Sequence, residues 1–357
     1  MARIDLDNIA HSYDPNVADP VYALRKFSLT WDDGGRYAIL GPSGCGKTTM
    51  LNIMSGIVTP SEGRIRFDGE DVTQSKTANR NIAQVFQFPV IYNTMSVGDN
   101  LSFPLVCRNV DSAVIKRKVQ EVAETLSLEH LLDRPANSLT ADQKQLISLG
   151  RGLVRDDVAA VLMDEPLTVI DPDLKFRLRR KLKEINELYK STLIYVTHDQ
   201  NEAMTFAHNI IVMDEGSLVQ VGTPQELFER PQTTFVGYFI GAPAMNMYDG
   251  TISGKNEVSV DGHKFKTKTD LSKIKTDNVK LGIRAEFITL SAKKSAGAIE
   301  ANVTRMEDFG NYRLVTAQVS SMVIKAKMKR EATIPTDKVW LTFPAERCCV
   351  YADEVLV

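Results

Sequence analysis

The sequence predicts an α/β protein with a parallel-sheet core, followed by a smaller β-rich domain. Three observations carry this. Short apolar runs at Tyr37–Leu40, Ala159–Met163 and Thr192–Val196 have the length of buried parallel strands. Each is followed by a turn and a helical pattern, an alternation that continues from residue 1 to about 235 and argues for strands and helices layered in one domain. From Met245 to Val357 the pattern changes: the runs TISG, EVSVDG, VKLGIRAEFITL and KVWLTF alternate with turns, and no long helical pattern appears.

The bulk numbers agree with two soluble domains. The chain has 357 residues, 43% hydrophobic and 25% charged, and a prior of about 150 residues per domain allows two ordinary cores. With a formal net charge of −2, nothing points to a general nucleic-acid binder. No apolar run approaches the roughly 18 residues that a membrane span needs, and the opening MARIDLDNIA lacks the apolar stretch of a signal peptide. The expectation is a protein that stays in the cytoplasm. The cysteines Cys45, Cys107, Cys348 and Cys349 are too few for a disulfide framework and none has zinc spacing, so they read as reduced thiols. The histidines are scattered and form no metal cluster on the pattern alone.

Taken in order, the strand Tyr37–Leu40 runs into Gly41–Thr48, GPSGCGKT, and then into the helical run TTMLNIMSGI. This fits G-x-x-x-x-G-K-[ST] in the strand-loop-helix context that the motif requires. Its glycines let the backbone curl until successive N–H groups point at phosphate oxygens, and the helix N-terminus adds positive potential there. Lys47 supplies a cation for the outer phosphates and Thr48 a hydroxyl for Mg²⁺. Cys45 occupies a free position and is given no chemistry. Residues 112 to 156 have no comparable strand run; Val114, Val119, Val122, Ala123 and Leu126 recur at helical spacing, as in a helical insert between two core strands.

The strand Ala159–Met163 ends in Asp164–Glu165–Pro166. Two carboxylates at the end of a buried strand are costly without partners. Asp164 suits Mg²⁺, held through water, and Glu165 suits the general base that polarises an attacking water. Such a pair is a weak signal alone and a strong one behind a phosphate loop.

At this point the chain resembles the ABC transporter ATPase family, in its sugar and sugar-alcohol importer branch, over essentially its whole length. The resemblance implies a P-loop ATPase cassette at residues 1–238, with a RecA-like parallel sheet and a helical subdomain at about 89–156, then a β-rich, barrel-like regulatory domain at 239–357. It implies ATP and Mg²⁺ as ligands. The nucleotide site would comprise Tyr13 stacking on adenine, the loop Gly41, Pro42, Ser43, Gly44, Cys45, Gly46, Lys47 and Thr48, and Thr49 beside it. Thr48, Gln87 and Asp164 would serve Mg²⁺. Gln87, in QVFQFP, matches the Q-loop glutamine that links the site to a membrane subunit. Ile170–Asp171 match the D-loop, and His198, in YVTHDQNEAM, matches the switch histidine that contacts the γ-phosphate. FVGYFIGAPAMN (Phe235–Asn246) resembles the junction into the regulatory domain, and LGIRAEFITL (Leu281–Leu290) a strand within it.

One motif departs from the family. The signature is usually Leu-Ser-Gly-Gly-Gln, whereas Leu139, Thr140, Ala141, Asp142 and Gln143 read LTADQ. In the family two ATPase subunits face head to tail, and each signature opens a helix towards the γ-phosphate held by the other subunit. Asp142 in that first turn complements the helix dipole by about 0.3–1 kcal/mol. Towards ATP it is unfavourable, because two like unit charges about 4 Å apart cost about 4 kcal/mol at an effective dielectric near 20. Alternatively Asp142 points away and has no effect.

The charge argument leads to the expectation of a heterodimer. A second ATPase chain with an intact signature would complete one competent site on this chain's loop, and LTADQ would form a weaker second one. LTADQ together with FQFPVIYNTMSVGDNLSFPL resembles the ATPase subunits of bacterial glycerol importers. The implied partners are that second ATPase, two membrane-spanning permease subunits at the cytoplasmic face of the inner membrane, and indirectly an extracytoplasmic solute-binding protein. No nucleic acid is implied. Sugar or glycerol-phosphate import by a homodimer, a soluble ABC ATPase acting on nucleic acid or ribosomes, and a catalytically dead regulatory subunit are the competing readings. A single cassette and near-neutral charge disfavour the second, and intact Glu165 and His198 the third.

Overall fold

The computed structural model describes residues 2–155, 157–168, 170–332, 335 and 337–357, so the expected last residue of the helical insert, 156, lies outside the described residues. The chain divides into two compact units, Met1–Pro224 and Gln225–Val357.

The first unit runs β1 (Ile4–Ser12), β2 (Tyr22–Trp31), β3 (Arg36–Leu40), α1 (Lys47–Ser55), β4 (Glu62–Phe67), β5 (Glu70–Asp71), β6 (Ala83–Val85), α2 (Val97–Val106), α3 (Ser112–Leu126), α4 (Ala141–Leu153), β7 (Val161–Asp164), α5 (Pro172–Tyr189), β8 (Leu193–Thr197), α6 (Gln200–Phe206), β9 (Asn209–Asp214) and β10 (Ser217–Gly222). Its main sheet has the order β10-β9-β3-β8-β7-β6. β9, β3, β8, β7 and β6 are parallel, and β10 closes one edge antiparallel. The three expected strands appear within a residue or two of their predicted bounds as β3, β7 and β8.

This sheet is buried on both faces, and side-chain alternation assigns each face to a core. Leu162, Ile194, Val196 and Ile39 face a core with Trp31, Met50 and Ile53. Met163, Leu193 and Tyr195 face one with Leu101, Ala123, Leu146, Ile147 and Leu182. The second core is where the insert docks. Among the described residues no strand lies between β6 and β7, and α2, α3 and α4 fill the interval, as helical spacing predicts.

One part of the cassette was not foreseen. β2-β1-β4-β5 form a separate antiparallel sheet instead of alternating with helices. The pairing of β1 with β2 breaks register between Leu6, Ile9, His11 and Ser12, and Asn8 has φ 51°, so these strands lack a clean period of two.

Among its described residues the second unit holds α7 (Pro224–Glu229), α8 (Thr234–Phe239) and eleven strands from Asn246–Gly254 to Val355–Leu356. They form six-stranded and five-stranded sheets, antiparallel in their pairings, whose inner residues, among them Val258, Leu281, Ile324 and Leu341, share one core. This is the barrel-like β domain expected. The division falls after Pro224, 14 residues before the expected position 238 (238 − 224), because buried Arg284 gathers the intervening helices. Its guanidinium donates to the carbonyls of Phe228 (2.9 Å), Gly237 (2.8 Å) and Ile240.

Candidate active site

The site forms where the phosphate loop leaves β3 and where β7 and β8 end beside it. Gly46 caps α1 at φ 100°, and a Cβ there would sit 2.5 Å from the Ala23 carbonyl oxygen. A Cβ on Gly41 would meet the Met213 carbonyl oxygen at 2.3 Å. Neither position tolerates a side chain without moving backbone. No side chain caps the α1 N-terminus, so its first N–H groups remain for an anion.

Lys47 is buried, and its ammonium donates to the carbonyls of Gly41 and Pro42, each at 2.8 Å. The cation is thus held inside the curl of the loop. Cys45 is buried beneath it, its thiol pushed up by burial, and takes no part in the open face.

A cleft of about 600 Å³ is lined by Tyr13, Ala23, Ser43, Gly44, Gly46, Lys47, Thr48, Thr49, Gln87, Glu165 and His198. Ten of these eleven were anticipated; Ala23, at the start of β2, was not, and its only sequence signal is the glycine forced opposite it. Tyr13 is exposed at the cleft, its hydroxyl 3.1 Å from Thr49 Oγ1 and its ring edge-on to His11 at 4.7 Å.

Glu165 takes φ 45°, a left-handed conformation that costs a non-glycine residue on the order of 1–3 kcal/mol. The surroundings hold it there. Its N–H donates to the Val196 carbonyl (3.0 Å), Thr168 Oγ1 donates to its carbonyl (3.1 Å), and His198 Nδ1 lies 3.0 Å from Oε1. The carboxylate is mostly buried at 18% side-chain exposure, whereas His198 is 60% exposed.

Asp164 lies behind Thr48. Burial pushes its carboxyl above the usual range, against a hydrogen bond from Thr48, while the neighbouring charge of Glu165 pushes the same way and Lys47 opposes. A buried carboxylate short of positive charge, joined to a hydroxyl at a phosphate loop, is a donor set that fits Mg²⁺. Among the described residues no cluster of three His, Cys, Asp or Glu side chains suggests another metal.

Of the predicted site residues, Gly41, Pro42, Cys45 and Asp164 are not part of the cleft lining, and neither are two further groups. Asp171 caps α5, accepting from the N–H of Asp173 at 3.0 Å. Leu139–Gln143 lie at the start of α4, where Thr140 is the N-cap and its N–H donates to Gln143 Oε1 at 3.2 Å. The Thr140 hydroxyl donates to the Asp142 carboxylate, so the hydroxyl that this motif keeps is occupied by the acid that replaces its glycine.

A family model described as "ABC transporter" matches residues 24–168. The chain is 36% identical over 339 residues to the sn-glycerol-3-phosphate import ATP-binding protein UgpC 1 of Rhizobium etli, spanning 95% of this chain and 91% of that one. It is 37% identical over 321 residues to the xylose/arabinose import ATP-binding protein XacK of Haloferax volcanii, spanning 88% and 83%. Among solved structures, cbiO1 from Clostridium perfringens, part of an ABC transporter complex, superposes with a TM-score of 0.57 at 28% identity, over 64% of this chain and 90% of that one. With the phosphate loop, the acidic strand end and near-full-length relatives in agreement, the chain belongs to the ABC transporter family and is an ATP-binding cassette subunit that hydrolyses ATP with Mg²⁺.

Proposed function

We propose that this chain energises the import of a small polyhydroxylated solute through separate permease subunits, bound at the cytoplasmic face of the membrane. The observation that supports this most is likeness to import ATPases along nearly the whole chain, β domain included. Among the described residues no helix is long and apolar enough to cross a membrane. Beyond Gln87 the segment exposes Phe88 (72%) and Val90 (53%), apolar side chains suited to a docking partner.

The sequence suggested glycerol. The relatives named above handle sn-glycerol 3-phosphate and xylose or arabinose, so the solute class is best written as sugars, polyols and their phosphates, with glycerol one member. Solute choice belongs to the partner chains, since the cleft described here is built for phosphate.

The working roles follow from placement. The loop N–H groups from Gly41 to Thr48 and the Lys47 ammonium hold the phosphates, and Tyr13 offers its ring to the base. Thr48, Asp164 and Gln87 would hold Mg²⁺, which would supply positive charge against the phosphate oxygens. Glu165 accepts the proton of the attacking water, and His198, 3.0 Å from it, orients that carboxylate and reaches the γ-phosphate. Asp171 and the LTADQ motif serve the interface with a second ATPase chain, with LTADQ the weaker contributor. Replacing Glu165 by Gln should lower turnover of the assembled transporter by about 10²–10⁴ while leaving ATP binding intact. Unchanged turnover would refute the assignment.

A further inference from the structure

A buried carboxylate outside the cleft joins the loop that carries His198 to the helix that Asp171 opens. Glu202, on α6, is 6% exposed. Tyr195 Oη donates to Oε2 at 2.8 Å, and Thr197 Oγ1 donates to the same oxygen at 2.9 Å. The other oxygen faces α5, with Arg179 Nη1 at 3.4 Å and Lys175 Nζ at 3.8 Å. A carboxylate this deep is tolerated only with such a full complement of partners.

What those partners hold is the point. Thr197 Oγ1 also accepts the N–H of Asp199 at 3.0 Å, so its hydroxyl bridges the residues on either side of His198. Asp199 in turn caps α6, accepting from the N–H of Asn201 at 2.7 Å. On the other side, Lys175 and Arg179 lie one and two turns into the helix that Asp171 opens, and Lys175 N–H donates to the Asp171 carbonyl at 2.8 Å. Glu202 is therefore tied on one side to the loop carrying His198, which meets Glu165, and on the other to the helix carrying the Asp171 cap.

We infer that Glu202 is a positioning residue for ATP hydrolysis, fixing the His198 loop and the Asp171 helix in one register. This rests on the roles proposed above for Glu165, His198 and Asp171. Glu202 touches neither the nucleotide cleft nor the reacting atoms, so its removal misplaces catalytic groups without removing ATP contacts.

The test compares Glu202→Ala, Glu202→Gln, Thr197→Val and Glu165→Gln in the assembled transporter, with kcat and KM for ATP measured beside thermal melting. Glu202→Ala is expected to lower kcat about tenfold with KM changed less than twofold. Glu202→Gln keeps an acceptor for both hydroxyls but turns an amide NH2 towards Arg179 and Lys175, so it should recover only part of the lost rate. Thr197→Val removes one of the two strand-side hydrogen bonds and the acceptor of the Asp199 N–H, leaves the α5 side intact, and should lower kcat by itself, which decides the matter if Glu202→Ala does not fold. Folded Glu202→Ala and Thr197→Val proteins with wild-type kcat and only a lowered melting temperature would overturn the inference. Glu165→Gln separates the two failures: if it stays active, the reading of the site is wrong; if it is inactive while the Glu202 and Thr197 variants run at full rate, only the positioning role falls.

Discussion

Asp164 shows what one residue gives up for the site. Its carboxyl is buried 7% exposed at the end of β7, and burial raises its pKa, so the charged form is disfavoured in the folded chain relative to the unfolded one. For a carboxyl with a raised folded pKa, the folded state binds the proton more tightly. Without ligand, stability therefore falls as pH rises from the normal carboxylate range towards the raised value, and the penalty is fully present above it. Asp164→Asn should accordingly raise the melting temperature of the nucleotide-free protein at pH 7, by about 2–4 °C for each kcal/mol relieved, while abolishing Mg²⁺-dependent turnover. Calorimetry at pH 7 and at a pH below the carboxylate range checks this, since the gain should vanish in acid. Asp164 itself was legible in the sequence as an acid ending an apolar strand. Glu202 was not, because the segment QNEAM is short and nothing in it marks the glutamate. In hindsight its signal is position: Ala203 and Phe206 bury the same side of α6.

At the scale of elements, α4 connects the altered signature to the segment after Gln87. Gln145, Ser148 and Arg151 recur every three residues and share one face of the helix. Gln145 Nε2 donates to the Phe86 carbonyl at 3.0 Å, Ser148 Oγ accepts the Val90 N–H at 3.4 Å, and Arg151 donates to the Val90 carbonyl at 2.5 Å while stacking on Tyr92 at 4.6 Å. Force applied at exposed Phe88 and Val90 therefore reaches the helix that begins at Ala141. Arg151→Ala should weaken this grip and reduce solute-stimulated hydrolysis severalfold, with basal hydrolysis nearly unchanged; equal loss of both rates would show that the contact only stabilises the fold. The helical insert, the three central strands and the phosphate loop could all be read in advance, because each rests on local periodicity or on a motif in its required setting. The sheet β2-β1-β4-β5 could not. Its pairing joins Ile4 to Trp31 and to Phe67, partners set by tertiary packing, and its register breaks blur the alternation that marks a strand.

For the whole molecule the open quantity is the identity of the second ATPase chain. The phosphate loop, acidic strand end and His198 gather in one cleft, while Thr140 and Asp142 lie at another helix start and bond to each other. If two copies of this chain paired head to tail, both ATP sites would meet Asp142, and both would carry a like-charge cost on the order of 4 kcal/mol before relaxation. If the partner carries glycines there, only one site bears that cost. The purified chain alone should then hydrolyse ATP at less than about a tenth of the rate reached when the partner ATPase is added. Asp142→Gly, which removes the charge and frees the Thr140 hydroxyl, should raise the rate of the chain alone at least about tenfold and change the mixed complex much less. A homodimer working at the full transporter rate, and indifferent to Asp142→Gly, would mean that the carboxylate turns away from the nucleotide and that the asymmetric motor is wrong.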